Sequence, residues 1–234
     1  MIKLEHTEVV GWEHAIRGMR NPMNSWNKSD TVYIPSRFLY EKEDYELARK
    51  CHDIAPIIKA NDLDLMQRLR EAGTDHRKFM RMITVYVDIT APFYWWKEFD
   101  TYKVGTVANS CSTMHKIHVK EFTLDDFSHE HLKPKSIDTL EHIIDELNTW
   151  RIIYLEGYPA ESGCSEILAK DKDIWWQMIQ LLPTSYNQKR TIMFNYEVLA
   201  NIYKSRKNHK LDEWHDLCDW IKTLPYSELI TKGE

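Results

Sequence analysis

The sequence is poor in glycine and has no closely spaced cysteines. Its 7 glycines among 234 residues form neither a GxGxxG nor a GxxxxGK(S/T) motif, so the common dinucleotide and P-loop signatures are absent. The four cysteines, Cys51, Cys111, Cys164 and Cys218, form no CxxC pair. This spacing excludes a zinc ribbon and a disulfide framework, and it predicts buried or free thiols.

Long apolar runs and an excess of positive charge are also missing. No apolar run approaches the ~18 residues that would cross a bilayer, and the opening MIKLEHTEVV lacks the apolar core of a signal peptide. The 31 Lys and Arg residues against 36 Asp and Glu residues give a net charge of -5. General binding to duplex nucleic acid requires a basic face, which this composition does not favour. We therefore expect a soluble cytoplasmic protein with no membrane contact, in one domain over residues 1–234.

Hydrophobic periodicity predicts an α/β (α+β) fold with a small strand-rich first half and a helical second half. Strands are expected at 3–10, 81–90 and 115–122, where apolar and polar residues alternate. Helices are expected at 12–19, 41–60, 61–72, 92–99, 137–158, 165–182, 191–205 and 211–224.

Isolated charged and aromatic residues give only weak functional signals. Arg17 and Arg20 share one face of the first predicted helix and form a candidate anion site. His115 and His118 are three residues apart, but extended flanks would place them on opposite faces, which argues against a shared metal ion. The 9 tryptophans are expected mostly in the core, with some of them available to a planar ligand.

One segment carries a more specific pattern. After the central predicted strand come Ala91-Pro92, a short aromatic helix and a loop rich in hydroxyl and amide side chains up to His115. This order resembles the signature region of the flavin-dependent thymidylate synthases (the ThyX family), where Ala-Pro precedes an Arg-Gln-Trp helix and then RHRxxSxNExSxRY. In this sequence Lys97-Glu98-Phe99 stands for Arg-Gln-Trp, Thr101-Tyr102-Lys103 for Arg-His-Arg, and Thr106 for the first Ser. The rest of the motif matches if this sequence has one extra residue. Asn109 then stands for the Asn, Ser110 for the Glu, Ser112 for the second Ser and Met114-His115 for Arg-Tyr.

A second stretch is similar to the same family. ThyX sequences have Leu-Pro after a long helix, then a helix with Asn-x-Arg, a further Asn, and Leu-Arg near its end. The corresponding residues here are, without a gap, Leu182-Pro183, Asn195-Tyr196-Glu197, Asn201 and Ser205-Arg206. The resemblance therefore covers two separate parts of the chain in the family's order.

The resemblance implies a homotetramer with a small twisted sheet flanked by helices and FAD at the subunit junctions. The implied reaction is the methylation of the pyrimidine nucleotide deoxyuridylate (dUMP) with methylenetetrahydrofolate and NADPH. The flavin would be held by Tyr102, Lys103, Thr106, Asn109, Asn195, Asn201 and Arg206. The nucleotide would be held by Glu98, Ser110, Ser112, Met114 and Arg206. Glu98 and Ser112 are the candidate catalytic residues, since Glu98 replaces the family's amide and a carboxylate is able to act as a base.

Most of the family's arginines are missing at the matched positions. They are replaced by Thr101, Met114, Ile179 and Glu197, and only Arg206 remains among those that can be matched. Each charged hydrogen bond contributes about 1.5–3 kcal/mol, so dUMP in the family's usual pose would need other cations. The candidates are Arg17, Arg20, Lys116 and Arg190.

Two further functional hypotheses stay open beside a divergent enzyme. One is a non-catalytic descendant of the same fold that binds a nucleotide or a protein partner, which the missing arginines favour. The other is an interaction protein whose tryptophan-rich helices form a groove for a partner. The matched small polar residues also have a purely structural explanation, since such side chains cap helices and close turns.

Overall fold

The computed structural model describes residues 2–35, 54–159 and 166–232. The chain divides into two compact units, each built from separate stretches of sequence. Unit 1 contains Thr90–Phe99 and Ser110–Lys189, and unit 2 contains Ile2–Ile89, Asp100–Asn109 and Arg190–Glu234. The expectation of one domain over residues 1–234 stays a prediction.

Strands and helices alternate in the first half, and the second half is helical apart from strand β6. In chain order the elements are β1 (Lys3–Val10), α1 (Trp12–Arg20), β2 (Val32–Pro35), β3 (Ile54–Ile57), α2 (Ala60–Glu71), a 3-10 helix (Arg77–Met82), β4 (Thr84–Pro92), α3 (Phe93–Phe99), β5 (Val107–Ser110), α4 (Thr113–Lys116), α5 (Pro134–Glu156), α6 (Lys172–Leu181), β6 (Asn187–Asn195), α7 (Tyr196–Arg206), α8 (Asp212–Lys222) and α9 (Glu228–Thr231). This order confirms the mixed α/β prediction, with a small sheet and a helical second half.

Four strands form the main sheet in the order β1-β4-β6-β5. The central strand β4 and Ile83, the residue before it, bury the alternating face that the β-branched residues predict: Ile83, Val85, Val87 and Ile89 are at most 1% exposed. Strands β2 and β3 pair separately as an antiparallel ribbon, with Val32 opposite Ile57. Burial of one face fixes the register, because a slip by one residue would turn the whole apolar set outward.

In unit 1 the long helix α5 packs against α6. Seven side chains form its core, namely Ile117, Phe122, Phe127, Leu140, Ile144, Leu147 and Met178. The aromatic helix α3 adds a ring cluster, in which Trp95 lies 4.9 Å from Trp96 and 5.1 Å from Phe99 between ring centroids. The segment from Ser110 to Lys116 belongs to the same unit and contains three of the predicted nucleotide residues, Ser110, Ser112 and Met114.

In unit 2 the residues from Tyr226 to Ile230 form hydrogen bonds with residues far earlier in the sequence. The Tyr226 hydroxyl donates to the carbonyl of Pro56 and accepts from the N–H of Ile58, each at 2.9 Å. Arg70, which is buried, donates from Nε to the carbonyl of Leu229 at 2.7 Å. Buried backbone groups are therefore satisfied by side chains from a distant part of the sequence.

The predicted strand at 115–122 is wrong. Helix α4 covers Thr113–Lys116, and turns follow through Val119. The Ser112 hydroxyl accepts a hydrogen bond from the N–H of His115 at 3.2 Å, which satisfies a donor at the start of the helical turn. His115 and His118 therefore do not lie on an extended strand.

The predicted helix at 191–205 is wrong in its first part. Residues up to Asn195 belong to β6, and α7 begins at Tyr196. The Asn195 side chain accepts from the N–H groups of Glu197 and Val198, each at 3.1 Å, so the helix cannot extend backward through its own cap.

Other boundaries differ as well. The predicted helix at 41–60 falls mostly outside the described residues, and its end, Ile54–Ile57, is strand β3. Helix α2 has Lys59 rather than Asn61 at its N-cap, and α5 begins after Lys133 rather than Ser136. Pro134 takes the first position of α5, where its missing N–H costs nothing.

Replacing Gly11 by alanine is expected to lower the free energy of unfolding by about 2–3 kcal/mol. Gly11 has φ +91, and an added Cβ would lie 2.0 Å from the carbonyl oxygen of Met82. The control is Gly73→Ala, because Gly73 has φ +101 but nothing within 4 Å of an added Cβ. It should cost only about 1 kcal/mol. Equal losses for the two variants in urea unfolding would show that the close backbone approach at Gly11 is unimportant.

Among the described helices, none combines the length and the apolar character that crossing a membrane demands.

Candidate functional site

The flavin-side residues predicted from the sequence belong to unit 2, and three of its side chains form a cationic aromatic cluster. Arg206, the last residue of α7, donates from Nε to the hydroxyl of Tyr102 at 2.9 Å. Its guanidinium carbon lies 4.5 Å from the ring centroid of Trp214 and 5.6 Å from that of Tyr102. Arginine favours such aromatic faces because its charge is delocalised over a plane. The arrangement holds a planar cation against two aromatic rings.

The loop that contains Tyr102 packs onto the start of α7. Gly105 has φ +77, and an added Cβ would lie 3.1 Å from Nδ2 of Asn195 and 3.1 Å from Cγ2 of Val198. Only glycine combines this backbone conformation with so close an approach. The structure therefore brings together two segments that the sequence separates, the loop 100–106 and the first turn of α7. Asn195 also caps α7, which is a structural function of its own.

Glu197 is buried and bonded to two arginines. It is 8% exposed, and its Oε1 accepts from Nε of Arg77 at 3.3 Å and from Nη2 of Arg81 at 3.3 Å. Nε of Arg81 makes a short hydrogen bond to Oε2. Arg77 also donates from Nη2 to Oδ1 of Asn201 at 3.4 Å. The acidic residue at the matched arginine position is thus neutralised by the 3-10 helix Arg77–Met82, and the sequence pattern did not reveal this pairing.

The remaining flavin-side residues differ in exposure. Lys103 and Asn109 are exposed. The hydroxyl of Thr106 is buried and has no hydrogen-bond partner in the part of the chain that the structure describes. A buried hydroxyl without a partner is uncommon, and its burial keeps it from the surface that a ligand would contact.

Four of the five nucleotide-side residues belong to unit 1, and Arg206 belongs to unit 2. In unit 1 a cavity of about 240 Å³ opens beside α4. Its lining includes Ser112, Thr113, Lys116 and Lys189. The segment is anchored to β6, because the N–H of Cys111 donates to the carbonyl of Lys189 at 2.9 Å. The cavity therefore offers hydroxyl groups and two cationic side chains, a combination suited to an anionic ligand.

The other four predicted nucleotide residues, Arg206 among them, lie outside the lining of this cavity. Glu98 is a half-buried residue of α3, and Ser110 and Met114 are exposed. The Met114 carbonyl accepts from the indole N–H of Trp175 at 3.1 Å. The structure thus brings Ser112 to the cavity, and it adds Thr113 and Lys189, for which the motif gave no signal.

Two of the four proposed compensating cations have carboxylate partners. Nε of Arg20 lies 2.7 Å from Oδ1 of Asp62, and Nη1 of Arg190 lies 2.7 Å from Oδ1 of Asp100. The prediction of an anion site at Arg17 and Arg20 is therefore wrong for Arg20, because Asp62 neutralises its charge. Lys116 lines the cavity, and Arg17 is exposed.

Two crystal structures of ThyX from Helicobacter pylori match nearly the whole chain. One contains FAD and dUMP and matches with a TM-score of 0.61 and 13% sequence identity, covering 98% of this chain and 96% of that one. The other is a structure of flavin dependent thymidylate synthase ThyX complexed with FAD and dUMP. It matches with a TM-score of 0.60 and 14% sequence identity, covering 97% of this chain and 96% of that one. This chain has the ThyX fold. No protein-family model and no curated protein matches the sequence.

The ThyX fold confirms the architecture that the two motif segments implied. Within it, the two groups of matched residues fall on different units: Tyr102, Asn195 and Arg206 on unit 2, and Glu98 and Ser112 on unit 1. Among the described residues, no three His, Cys, Asp or Glu side chains converge on a metal position.

The cysteines and tryptophans bear on the other sequence hypotheses. Cys111 is free and exposed, and Cys218 is free and buried; burial raises the pKa of the Cys218 thiol to about 11. Cys51 and Cys164 lie outside the described residues. Trp26 is 49% exposed and Trp176 is 39% exposed, so a tryptophan-lined partner surface stays a prediction.

Proposed function

We propose that the chain is a divergent ThyX-like enzyme that binds FAD and a pyrimidine nucleotide, dUMP or a related one. Its reaction would be a reductive one-carbon transfer to that nucleotide. The observation that carries the proposal is the ThyX fold, matched over nearly the whole chain by two structures that contain FAD and dUMP. The ordered motif residues on both units support it.

The residues of unit 2 fit a flavin. Arg206 is half-buried and carries a planar guanidinium whose several N–H donors suit the carbonyl and phosphate oxygens of a flavin nucleotide, while Trp214, which is 0% exposed, packs against that guanidinium. The cofactor would be held by Tyr102, Lys103, Thr106, Asn109, Asn195, Asn201 and Arg206. Hydride transfer is the chemistry that FAD supplies when bound, and NADPH and methylenetetrahydrofolate are the implied co-substrates.

The cavity of unit 1 is our candidate for the phosphate of the nucleotide. Lys116 and Lys189 supply positive charge, and Ser112 and Thr113 supply hydroxyl donors. Lysine binds phosphate as a point charge, without the two-pronged geometry of the family's arginines. Glu98, Ser110, Met114 and Arg206 complete the proposed nucleotide set, in which Glu98 would accept a proton from the pyrimidine. We also infer a cytoplasmic homo-oligomer, a tetramer by family resemblance.

A non-catalytic descendant of the fold is the second candidate. It is favoured by the structural functions of two matched residues, since Asn195 caps α7 and Ser112 caps α4. Met114 in addition provides no charge at a position where the family has arginine. Such a protein would be a stable oligomer that neither binds nor reduces flavin.

Flavin retention separates the two candidates. The purified protein mixed with FAD is expected to keep visible flavin absorption through gel filtration. Arg206→Ala should weaken FAD binding by about tenfold or more, because a charged hydrogen bond contributes about 1.5–3 kcal/mol. Lys210→Ala is the control, since it removes an exposed cation of the loop after α7.

Equal FAD affinity in Arg206→Ala and Lys210→Ala would reject the flavin site at Arg206. A wild-type protein that takes up no FAD would reject the enzyme and favour the non-catalytic descendant. Thermal unfolding of both variants is measured in parallel, so that a folding defect is not taken for a binding defect.

A further inference from the structure

Tyr186 lies in the wall of the unit 1 cavity. Among the described residues that line this cavity, it is the only aromatic one. Its ring packs against Phe93 and Phe127, each at 5.6 Å between ring centroids. Its carbonyl accepts from the N–H of Phe93 at 3.1 Å, and its N–H donates to the carbonyl of Pro183 at 3.0 Å. Both the ring and the backbone of Tyr186 are therefore held in place beside the cavity.

The hydroxyl of Tyr186 is available to a ligand. It forms no hydrogen bond with any residue that the structure describes. The protein does not enclose it completely either, in contrast to the hydroxyl of Thr106. A half-buried tyrosine usually has a partner for its hydroxyl, so we expect this partner to be a molecule bound in the cavity.

The charges around Tyr186 favour a neutral phenol beside an anionic ligand. Burial raises the pKa of Tyr186, and the charge of Asp126 raises it further, so the phenol is protonated at neutral pH and is able to donate. Asp126 stays an anion, but it lies outside the lining and its Oδ1 bonds to Nζ of Lys120 at 2.8 Å. The lining itself includes Lys116 and Lys189 and, among the described residues, no acidic one.

Hydrogen bonds join the two segments that form the cavity. The N–H of Cys111 donates to the carbonyl of Lys189, and Nε2 of Gln188 donates to the carbonyl of Cys111, each at 2.9 Å. Gln188 is 8% exposed, so this second bond is well shielded from water. The Ser112 hydroxyl accepts from the N–H of His115, which leaves its own hydrogen available to a ligand. The cavity is thus formed before a ligand binds.

We propose that the Tyr186 hydroxyl donates a hydrogen bond to the phosphate of the nucleotide in this cavity. Phosphate oxygens only accept hydrogen bonds, so they match a protonated phenol in a lining with two lysines and no acidic residue among those described. Tyr186 then supplies part of the bonding that the family's arginine would supply at the position of Met114. The inference rests on the proposed function, because it needs a nucleotide in the cavity. It assigns a ligand contact to a residue that neither motif segment matches.

Calorimetric titration with dUMP, deoxyuridine and inorganic phosphate tests the proposal. Tyr186→Phe removes the hydroxyl and keeps the ring against Phe93 and Phe127. It should weaken the binding of dUMP by about tenfold or more, because a hydrogen bond to a charged group is lost. It should weaken inorganic phosphate as well and leave deoxyuridine unchanged. The control is Tyr158→Phe, because Tyr158 is a 43% exposed tyrosine of the same unit outside the cavity lining.

Thermal unfolding of both variants should match that of the wild type, since neither loses a side-chain hydrogen bond within the described residues. Equal dUMP affinity in Tyr186→Phe and Tyr158→Phe would overturn the inference and leave the proposed function standing. An equal loss for dUMP and deoxyuridine would also overturn it, because the hydroxyl would then contact the nucleoside. Phosphate binding that depends on Tyr186, without binding of dUMP, would support the phosphate contact and reject the proposed nucleotide. Failure of all three ligands to bind the wild type would reject both.

Discussion

Asp62→Asn is expected to lower the free energy of unfolding by about 3–5 kcal/mol, because it leaves a buried arginine without its counter-ion. Asp62 is 0% exposed and Arg20 is 4% exposed, and Nη2 of Arg20 lies 2.6 Å from Oδ1 of Asp62. The other oxygen accepts from the hydroxyls of Ser29 and Thr31 at 2.7 and 2.6 Å. An amide in this position would turn a donor toward these groups. Urea unfolding measures the loss.

Asp64→Asn is the matched control for this prediction. Asp64 lies on the same helix and pairs with Arg68 at 2.9 Å, but both side chains are about two-thirds exposed (66% and 67%). Exposed pairs contribute at most about 1 kcal/mol. Similar losses for Asp62→Asn and Asp64→Asn would contradict the importance of burial at Asp62.

The same pair makes stability depend on pH. Burial alone would raise the pKa of Asp62, but the hydrogen bonds from Ser29, Thr31 and Arg20 outweigh it and lower the pKa below its ordinary value. The resulting stabilisation is complete above the ordinary aspartate pKa, about 3.9, and is lost as the pH falls through the folded-state pKa. The difference between wild type and Asp62→Asn should therefore shrink in acid.

Glu197→Arg is also expected to cost about 3–5 kcal/mol of unfolding free energy, although it restores the residue that the ThyX pattern has at this position. The new guanidinium would be nearly buried beside Arg77 and Arg81, both of which now bond to the Glu197 carboxylate. Three cations would then share one site that has lost the Glu197 carboxylate. Thermal and urea unfolding give the magnitude.

The charge-swapped double variant Arg81→Glu with Glu197→Arg is the decisive comparison. It should recover part of the loss, because opposite charges again face each other, and with the single variant Arg81→Glu measured as well the cycle gives the coupling energy of the pair. Glu197→Gln serves as the neutral control and should lose less than Glu197→Arg. A stable Glu197→Arg protein would mean that the two arginines do not fix the residue at this position.

The sequence predicted those elements whose pattern is local and complete. Strand β4 was recognised because Ile83, Val85, Val87 and Ile89 alternate on one face, and all of them are buried. The start of α7 was misplaced because the apolar residues before Asn195 continue the helical spacing backward. Ile192 and Phe194 are each 0% exposed, whereas Thr191 is exposed, and this alternation is typical of a strand. Asn195 caps α7 and so separates the strand pattern from the helical pattern.

The sequence predicts those residues of the candidate site that belong to a short motif, but it does not predict their contacts. The pairing of Tyr102 with Arg206 joins residues that both came from the motif, but their hydrogen bond spans 104 positions. Glu197 looked like an uncompensated charge reversal, because its partner Arg81 lies 116 positions earlier, outside any matched motif. Contacts of this range depend on the tertiary fold, and neither periodicity nor spacing reports them.

The C-terminal residues of unit 2 complete hydrogen bonds with residues near its start, and this matters while the chain is being synthesised on the ribosome. The carbonyl of Pro56 bonds to Tyr226, and the guanidinium of Arg70 bonds to the carbonyl of Leu229. These bonds span 170 and 159 positions, so the later partner is synthesised long after the earlier one. Until then the first part of the unit has incomplete hydrogen bonds and open apolar surface. Long-range closure of this kind slows folding, and apolar surface that stays uncovered until α9 is synthesised is prone to aggregation.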